Sequence, residues 1–176
     1  MSGYQNIYII GFRAGGKTTL ATEISSSHGL TFLDTDHKLQ DGTGMSIEDI
    51  ITLEGWEYFR HMEEKILADT TLLQGLVVAT GGGIILRKSN RDILKNDKFL
   101  TVYLMADTGL ILSRLKADPN PGQRPPLSSL SREAEIKETM ALREPLYREC
   151  ADLVLDARES TQKLAEKVMA RFSAGE

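Results

Sequence analysis

The stretch Gly11-Phe12-Arg13-Ala14-Gly15-Gly16-Lys17-Thr18 follows the apolar run 7–10 and matches the spacing G-x-x-x-x-G-K-[ST] in full. The run predicts a buried strand, and apolar residues at helical spacing predict a helix after the loop. Glycines let such a loop turn so that its backbone N–H groups converge on phosphate oxygens at the helix N-terminus. Lys17 adds charge for the β and γ phosphates, and Thr18 adds a hydroxyl for Mg²⁺. Placed between a strand and a helix, the stretch predicts a nucleoside triphosphate site more than a simple glycine-rich turn.

Length and composition predict one domain over residues 1–176, because 41% hydrophobic and 26% charged residues are ordinary globular values. The 21 basic and 25 acidic residues give a net charge of −4, which argues against general nucleic-acid binding. Cys150 is the only cysteine, so an intramolecular disulfide is excluded and we expect this side chain to fill core space. We find no signal peptide and no apolar segment long enough for a membrane span, and expect a cytoplasmic protein.

Apolar runs at 7–10, 31–33, 76–79, 100–105 and 153–155 alternate with segments of helical periodicity. Runs without polar alternation are typical of strands covered on both faces. The pattern therefore predicts an α/β fold of three layers, with a five-stranded parallel sheet between helices. Ligands should gather at the carboxyl ends of its strands.

Asp34 and Asp36 follow the second run, in Phe32-Leu33-Asp34-Thr35-Asp36. If the chain is still extended there, both carboxylates project from one face near the phosphate loop. Phosphoryl transfer to an alcohol needs a group that orders Mg²⁺ and a carboxylate that orients and deprotonates the hydroxyl. The pair could divide these tasks. The alternative is an Asx turn or cap for a helix that begins near His37.

Two further elements suggest a ligand site. A helical stretch is predicted over residues 46–72, with Ser46 as its N-cap, and it carries Arg60. Arg60 could form an exposed i,i+4 pair with Glu64, or its guanidinium could clamp a carboxylate on a substrate. The run Gly81, Gly82 and Gly83 follows a strand and allows a ligand to press against the main chain, although a plain strand-to-helix turn is the alternative.

In order and spacing, six motifs together resemble the shikimate kinase family over nearly the whole chain. These motifs are the phosphate loop 11–18, Asp34 with Asp36, Arg60, the triple glycine, Arg124-Pro125-Pro126-Leu127, and Arg143-Glu144-Pro145-Leu146-Tyr147-Arg148. The resemblance implies a nucleoside monophosphate kinase-like P-loop fold with strand order 2-3-1-4-5. It also implies transfer of the γ-phosphate of ATP to the 3-hydroxyl of shikimate, with Mg²⁺ as cofactor, in the biosynthesis of chorismate and aromatic amino acids.

The resemblance also implies a role for each matching residue. Lys17, Asp36 and Arg124 would be catalytic, with Asp36 as the base, and Thr18 and Asp34 would hold the metal. Substrate would be bound by Asp36, Arg60, Gly81, Gly82, Gly83 and Arg143. Nucleotide would be bound by Gly11, Ala14, Gly15, Gly16, Lys17, Thr18, Thr19 and Arg114.

Two regions complete the family plan: a substrate-binding helical region at about 36–72, and a lid at about 117–130 that would close over the reacting groups and exclude water. Two residues depart from the family pattern. Ala14 replaces a glycine, which costs little if its φ is negative. Pro126 beside Pro125 should stiffen the lid. Arg148 stays unassigned, with a helix C-terminal charge as its alternative role.

Alternatives remain, because a fold does not settle a substrate. A kinase of gluconate or of a nucleotide would share the phosphate loop, and a regulatory module would bind ligands without turnover. The set Arg60, Gly82 and Arg143 argues against gluconate. The presence of Lys17, Asp36 and Arg124 argues against a catalytically dead module. We expect ATP and shikimate as ligands, no nucleic acid or membrane partner, and a monomer.

Overall fold

The computed structural model describes residues 3–117 and 131–175 of the chain. Each strand is followed by one or more helices along these residues. In order, they are β1 Asn6–Ile10, α1 Lys17–His28, β2 Thr31–Asp34, α2 Thr35–Thr43, α3 Ile47–Thr70, β3 Leu76–Ala79, a 3₁₀ helix Ile84–Leu86, α4 Lys88–Leu94, β4 Phe99–Met105, α5 Thr108–Ala117, α6 Arg132–Cys150, β5 Leu153–Asp156 and α7 Thr161–Ser173.

The five strands form one parallel sheet in the order β2-β3-β1-β4-β5. The predicted fold class and strand order are therefore confirmed, and the predicted strand bounds are right to within one residue. In the register of the central strands, Ile9 is opposite both Ala79 on β3 and Val102 on β4. The loops that follow β1 and β3 consequently leave the sheet side by side at its carboxyl edge.

Helices cover both faces of the sheet, which explains why its central strands are continuous apolar runs. On one face, α1, α5 and α7 contribute Ile24, Ile111 and Val168, which are fully buried. On the other face, α3, α4 and α6 contribute Leu67, Leu94, Tyr147 and Cys150, among other side chains. Cys150 fills core space as predicted, and burial raises the pKa of its thiol to about 11.

The predicted helix over residues 46–72 is wrong in one respect, because a single non-helical residue interrupts it. Ser46 is its N-cap, as expected, and accepts a hydrogen bond from the Asp49 N–H. Gly55, however, has φ 84° and ψ 169°, which no helix contains. A β-carbon at Gly55 would meet nothing within 4 Å, so the backbone conformation, and not lack of space, calls for glycine there. α3 therefore consists of two helical segments joined by a kink at Gly55.

Among the described residues, no helix combines the length and apolar character needed to cross a bilayer.

Candidate active site

The loop between β1 and α1 winds around the side chain of Lys17. The Lys17 ammonium is buried and donates to the carbonyl of Phe12 over 2.8 Å, so the side chain folds back across the loop. Gly11 and Gly16 have φ values of 145° and 95°, and a β-carbon on Gly11 would stand 2.6 Å from the carbonyl oxygen of Leu104. Both glycines are therefore required by geometry, and α1 begins at Lys17 without a side-chain cap. The start of a helix, where N–H groups lack intrahelical partners and the dipole favours negative charge, is a usual place for a phosphate.

Ala14 differs from the expectation of a negative φ. Its φ is 56°, in the left-handed region, and it is the one non-glycine residue with positive φ among residues 3–117 and 131–175. A β-carbon in this region costs roughly 1–2 kcal/mol, so the replacement of glycine at this position is not free of cost. The loop holds Ala14 there because neighbouring contacts fix both its ends, including the hydrogen bond from the Gly15 N–H to the Phe12 carbonyl.

A cavity of about 450 Å³ opens beside this loop. Arg114 on α5 lies in its wall and bonds to both of its sides. One guanidinium nitrogen donates to the carbonyl of Gly15 over 2.7 Å, and the other donates to the carbonyl of Ala157 over 2.8 Å. The cavity is lined by Ala14, Gly15, Gly16, Lys17, Thr18, Thr19, Leu20, Leu104, Arg114, Ala157, Glu159, Thr161 and Leu164.

Sequence reasoning missed the segment after β5 as part of this cavity. Ala157 and Glu159 lie in the short stretch between β5 and α7, and Thr161 is the first residue of α7. No phosphate-loop spacing or charge pattern marks this segment in the sequence. The one available signal was topological, because the loop after β5 has to emerge at the same sheet edge as the loop after β1.

Asp34 is the cap that the sequence offered as an alternative, and it also contacts the first turn of α1. One carboxylate oxygen accepts from the N–H groups of Asp36 and His37, so Asp34 is the N-cap of α2. The other oxygen accepts from the Thr18 hydroxyl over 2.8 Å. The assumption that the chain is still extended through Asp36 is therefore wrong, since the strand ends at Asp34 and the helix begins at Thr35.

A pair of hard oxygen donors thus lies at the start of α1. Magnesium prefers such ligands, usually one or two protein groups together with phosphate oxygens and water. The Thr18 hydroxyl and the Asp34 carboxylate, already in contact beside the phosphate loop, fit this requirement. No group of three or more His, Cys, Asp or Glu side chains within the described ranges could hold a metal ion by itself. A metal at this position would need ligands from the nucleotide as well.

Asp36 lies in the first turn of α2 and faces the backbone of Gly81. Its Oδ1 atom is 2.8 Å, and Oε1 of Glu63 is 2.5 Å, from the point where a β-carbon on Gly81 would stand. The Gly81 N–H donates to the buried hydroxyl of Thr35 over 2.9 Å. Glycine at position 81 therefore makes room for two carboxylates.

Arg60 is not part of an exposed pair with Glu64. Its side chain is 12% exposed and forms an ion pair with Glu63, three residues later, whose side chain is 1% exposed. Glu64 instead bonds to Arg87. Sequence reasoning did not single out Glu63, although its helical spacing from Arg60 was visible, because nothing in the sequence showed that this face of α3 is buried.

Arg60 and Arg143 line a second cavity, of about 440 Å³, together with Trp56, Glu57, Leu86 and Arg87. The Arg60 guanidinium lies 5.2 Å from the ring centre of Trp56, the one tryptophan of the chain. Arg143 donates to the carbonyl of Gly82 over 3.2 Å. Two guanidinium groups in one concave site suit an anionic ligand such as a carboxylate.

Gly82 contacts both the phosphate loop and Arg143, which lines the second cavity. A β-carbon at this position would stand 3.2 Å from the backbone nitrogen of Arg13 and 3.4 Å from the carbonyl oxygen of Gly11, both in the phosphate loop. The carbonyl of Gly82 faces α6 and Arg143. Gly83, next along the chain, lies so close to Arg60 that any β-carbon would overlap the guanidinium. The triple glycine therefore contacts the phosphate loop and both arginines of the second cavity.

Two further arginines of the sequence motifs are Arg124 and Arg148. Arg124, with the rest of 118–130, lies outside the described residues, so the lid stays a prediction. Arg148 lies in the last turn of α6, the helix C-terminal position that the sequence allowed as its alternative role. It is 52% exposed and forms an i,i+4 ion pair with Glu144.

A phosphate loop on a parallel sheet, a hydroxyl and carboxylate placed for a metal, and a neighbouring cationic cavity define a P-loop phosphotransferase that acts on a small anionic molecule. Comparisons with known proteins narrow this class. Residues 13–173 match the family model described as shikimate kinase. The protein called shikimate kinase 2 of Photorhabdus laumondii is 37% identical over 164 residues, 93% of each chain. The one from Syntrophotalea carbinolica is 40% identical over 153 residues, 87% of this chain and 88% of the other.

A solved structure agrees with these sequence matches. Shikimate kinase from Acinetobacter baumannii in complex with shikimate is 33% identical, with a TM-score of 0.89 over 98% of this chain and 95% of that one. The chain belongs to the shikimate kinase family. Its activity is the ATP-dependent phosphorylation of shikimate, which confirms the expectation from the sequence.

The strained position in the phosphate loop leads to a stability prediction. We expect Ala14→Gly to raise the free energy of unfolding by about 0.5–1 kcal/mol, because relief of the left-handed strain outweighs the added entropy of the unfolded chain. Ala21→Gly is the matched control in the middle of α1, where glycine should lower stability by about 1 kcal/mol. Urea denaturation measures both values. A loss of stability in Ala14→Gly as large as in the control would contradict the prediction.

Proposed function

We propose that the phosphoryl group goes from ATP to the 3-hydroxyl of shikimate, at the boundary between the two cavities. The observation that supports this proposal best is the position of Gly82, whose backbone lies against the phosphate loop on one side and bonds to Arg143 on the other. A ligand held by its carboxylate at Arg60 and Arg143 would have its hydroxyl groups near Asp36 and the phosphate loop. Such positioning is the main contribution that a kinase makes to phosphoryl transfer.

On the nucleotide side, the backbone of the phosphate loop would surround the phosphates, with Gly11, Ala14, Gly15 and Gly16 setting its path. Lys17 would exchange its bond to the Phe12 carbonyl for the β and γ phosphates. Thr19 and Arg114 line the same cavity, and Arg114 would lie beside the adenine. Mg²⁺ would be held by Thr18 and, through water, by Asp34, and would neutralise charge on the phosphates.

On the acceptor side, Arg60 and Arg143 would bind the carboxylate, and the backbone of Gly81, Gly82 and Gly83 would close the pocket. Asp36 would orient the acceptor hydroxyl and take up its proton, since its carboxylate sits in the first turn of α2 beside Gly81. Glu63 would keep the Arg60 guanidinium in place through their buried ion pair. A planar, fixed guanidinium can donate two parallel hydrogen bonds to a carboxylate.

The remaining assignments follow the family plan. Arg124 would stabilise charge on the transferred group when a lid at about 117–130 closes, and the helical region at about 36–72 would carry the acceptor. The whole chain, 1–176, would act as one domain and as a monomer in the cytoplasm, without nucleic-acid or membrane partners.

A substrate panel tests the proposal. We expect ADP release with ATP, Mg²⁺ and shikimate, but background rates with gluconate or with a nucleoside monophosphate. Of these three acceptors, only shikimate carries both a carboxylate and hydroxyl groups on one ring. A coupled ADP assay gives the rates, and phosphorus NMR of the product gives the position of the phosphate. ADP release with gluconate but not shikimate, or phosphate on another hydroxyl, would refute the proposal.

The role of Asp36 can be tested by one isosteric change. We expect Asp36→Asn to lower kcat by about 10²–10⁴, the usual contribution of a general base, with KM for ATP changed less than twofold. An amide cannot take up the hydroxyl proton, whereas the nucleotide cavity is untouched. Asp41→Asn, on the exposed side of the same helix, serves as control and should keep the wild-type rate. Equal kcat values for the two variants would remove Asp36 from the role of base.

The carboxylate clamp can be tested without loss of charge. Arg60→Lys keeps a cation beside Glu63 but loses the planar fork, so we expect KM for shikimate to rise about tenfold or more and KM for ATP to stay constant. Arg148→Lys, which alters an exposed pair on α6, is the matched control. Steady-state kinetics measure both constants, and quenching of Trp56 fluorescence by shikimate measures binding directly. An unchanged KM for shikimate in Arg60→Lys would count against the clamp.

A further inference from the structure

Tyr147 is buried on α6 and uses its hydroxyl inside the active site without lining either cavity. Its side chain is 1% exposed, and its hydroxyl donates to the carbonyl oxygen of Gly82 over 2.5 Å. A buried phenol needs a hydrogen-bond partner, and many backbone carbonyls of the core are already used by the sheet. The partner of Tyr147 is instead the backbone residue that lies between the phosphate loop and the arginine-lined cavity.

The carbonyl of Gly82 receives two donors from one face of α6. Tyr147 follows Arg143 by four residues, one helical turn, so both side chains extend from the same side of the helix. Arg143 donates to this oxygen over 3.2 Å, the longer of the two bonds. A carbonyl oxygen has two lone pairs, so the two donors can be bound at once. The hydroxyl and the guanidinium together determine the direction in which the carbonyl points.

The direction of the Gly82 carbonyl also determines the direction of the Gly83 N–H. The peptide bond between Gly82 and Gly83 is trans, so the carbonyl of Gly82 and the N–H of Gly83 point in opposite directions within one rigid plane. With the carbonyl held toward α6, the Gly83 N–H is turned away from α6. A β-carbon on Gly83 would overlap the guanidinium of Arg60, so this residue is part of the wall around that arginine. Glycines have no side chain to restrict such a plane, and external hydrogen bonds have to do so.

We propose that Tyr147 is a positioning residue for the acceptor substrate: its hydroxyl fixes the peptide plane between Gly82 and Gly83 and the guanidinium of Arg143 in the orientation that receives the carboxylic acid. The inference rests on the proposed roles of Arg143 and the glycine backbone. Tyr147 does not line the cavity beside the phosphate loop, so its effect should appear in the kinetic constants of the acceptor alone. The free active site is then largely arranged before substrate enters, which lowers the entropy cost of binding.

The neighbouring Tyr103 provides a matched control. Its ring stacks on that of Tyr147, with centroids 5.0 Å apart and planes at 18°, and it is equally buried, at 2% exposure. The Tyr103 hydroxyl donates to Glu144 and not to the glycine backbone. Tyr103→Phe and Tyr147→Phe each remove one buried hydroxyl from the same ring pair. Only the second removes a bond to Gly82.

We expect Tyr147→Phe to raise KM for shikimate about fivefold, the size typical of one neutral hydrogen bond, with kcat and KM for ATP changed less than twofold. Titration of Trp56 fluorescence with shikimate should show the same fivefold loss of affinity without turnover. Tyr103→Phe should lower the melting temperature about as much as Tyr147→Phe does, since each loses one buried hydroxyl, but it should keep the wild-type KM for shikimate. The inference is overturned if Tyr147→Phe keeps the wild-type KM, or if Tyr103→Phe raises it equally, since the effect would then belong to the ring packing.

A double-mutant cycle adds a readout that a purely structural role would not affect. Tyr147 and Arg143 share one acceptor, so the increases in KM caused by Tyr147→Phe and Arg143→Lys should not multiply in the double variant. Independent, multiplicative effects would contradict the inference. If the wild-type chain fails to phosphorylate shikimate, the proposed function fails. If the wild-type chain phosphorylates shikimate but Tyr147→Phe keeps the wild-type KM, or its effect multiplies with that of Arg143→Lys, only the role of Tyr147 fails.

Discussion

The parallel pairing of β1 with β3 is the constraint on which the rest of the site depends. It places Ile9 opposite Ala79, so the phosphate loop after β1 and the triple glycine after β3 leave the sheet as neighbours. Neither loop could approach the other so closely with side chains at the contact, because a β-carbon on Gly82 would press on two backbone atoms of the phosphate loop. The core clusters on the two faces hold the strands in register. The phosphate loop and the triple glycine are consequently brought together by the sheet.

At this edge of the sheet, two largely buried arginines are each paired with a buried carboxylate. Arg60 is paired with Glu63, and Arg13 in the phosphate loop is 3.4 Å from Glu135, whose side chain is 5% exposed. Such pairs contribute little net stability, since desolvation of both ions offsets their attraction. Their effect is to fix guanidinium groups in direction. Glu135 lies in the first turn of α6, so the Arg13 pair also joins the phosphate loop to the helix that carries Arg143 and Tyr147.

The sequence allowed the strands, their parallel arrangement and the phosphate loop to be predicted, because each depends on local spacing or on burial that continuous apolar runs reveal. The errors have local causes as well. Gly55 interrupts α3, although helical periodicity continues on both sides of it, and Ala14 adopts a positive φ that its residue type disfavours. What could not be predicted is long-range: Glu63 beneath Arg60, and the segment after β5 beside the phosphate loop, are recognisable only when the sheet brings them into place.

The three consecutive glycines show how one short motif can meet several such long-range demands. Position 81 lacks a side chain because the carboxylates of Asp36 and Glu63 occupy the space, position 82 because the phosphate loop does, and position 83 because Arg60 does. These neighbours belong to α2, α3 and the phosphate loop, which lie apart in the sequence. A substitution at any one position would therefore displace a different group: the acidic side chains, the phosphate loop or the guanidinium. The motif is better explained as the contact point of three functional elements than as a flexible turn, since each of its residues is enclosed on the side where a β-carbon would stand.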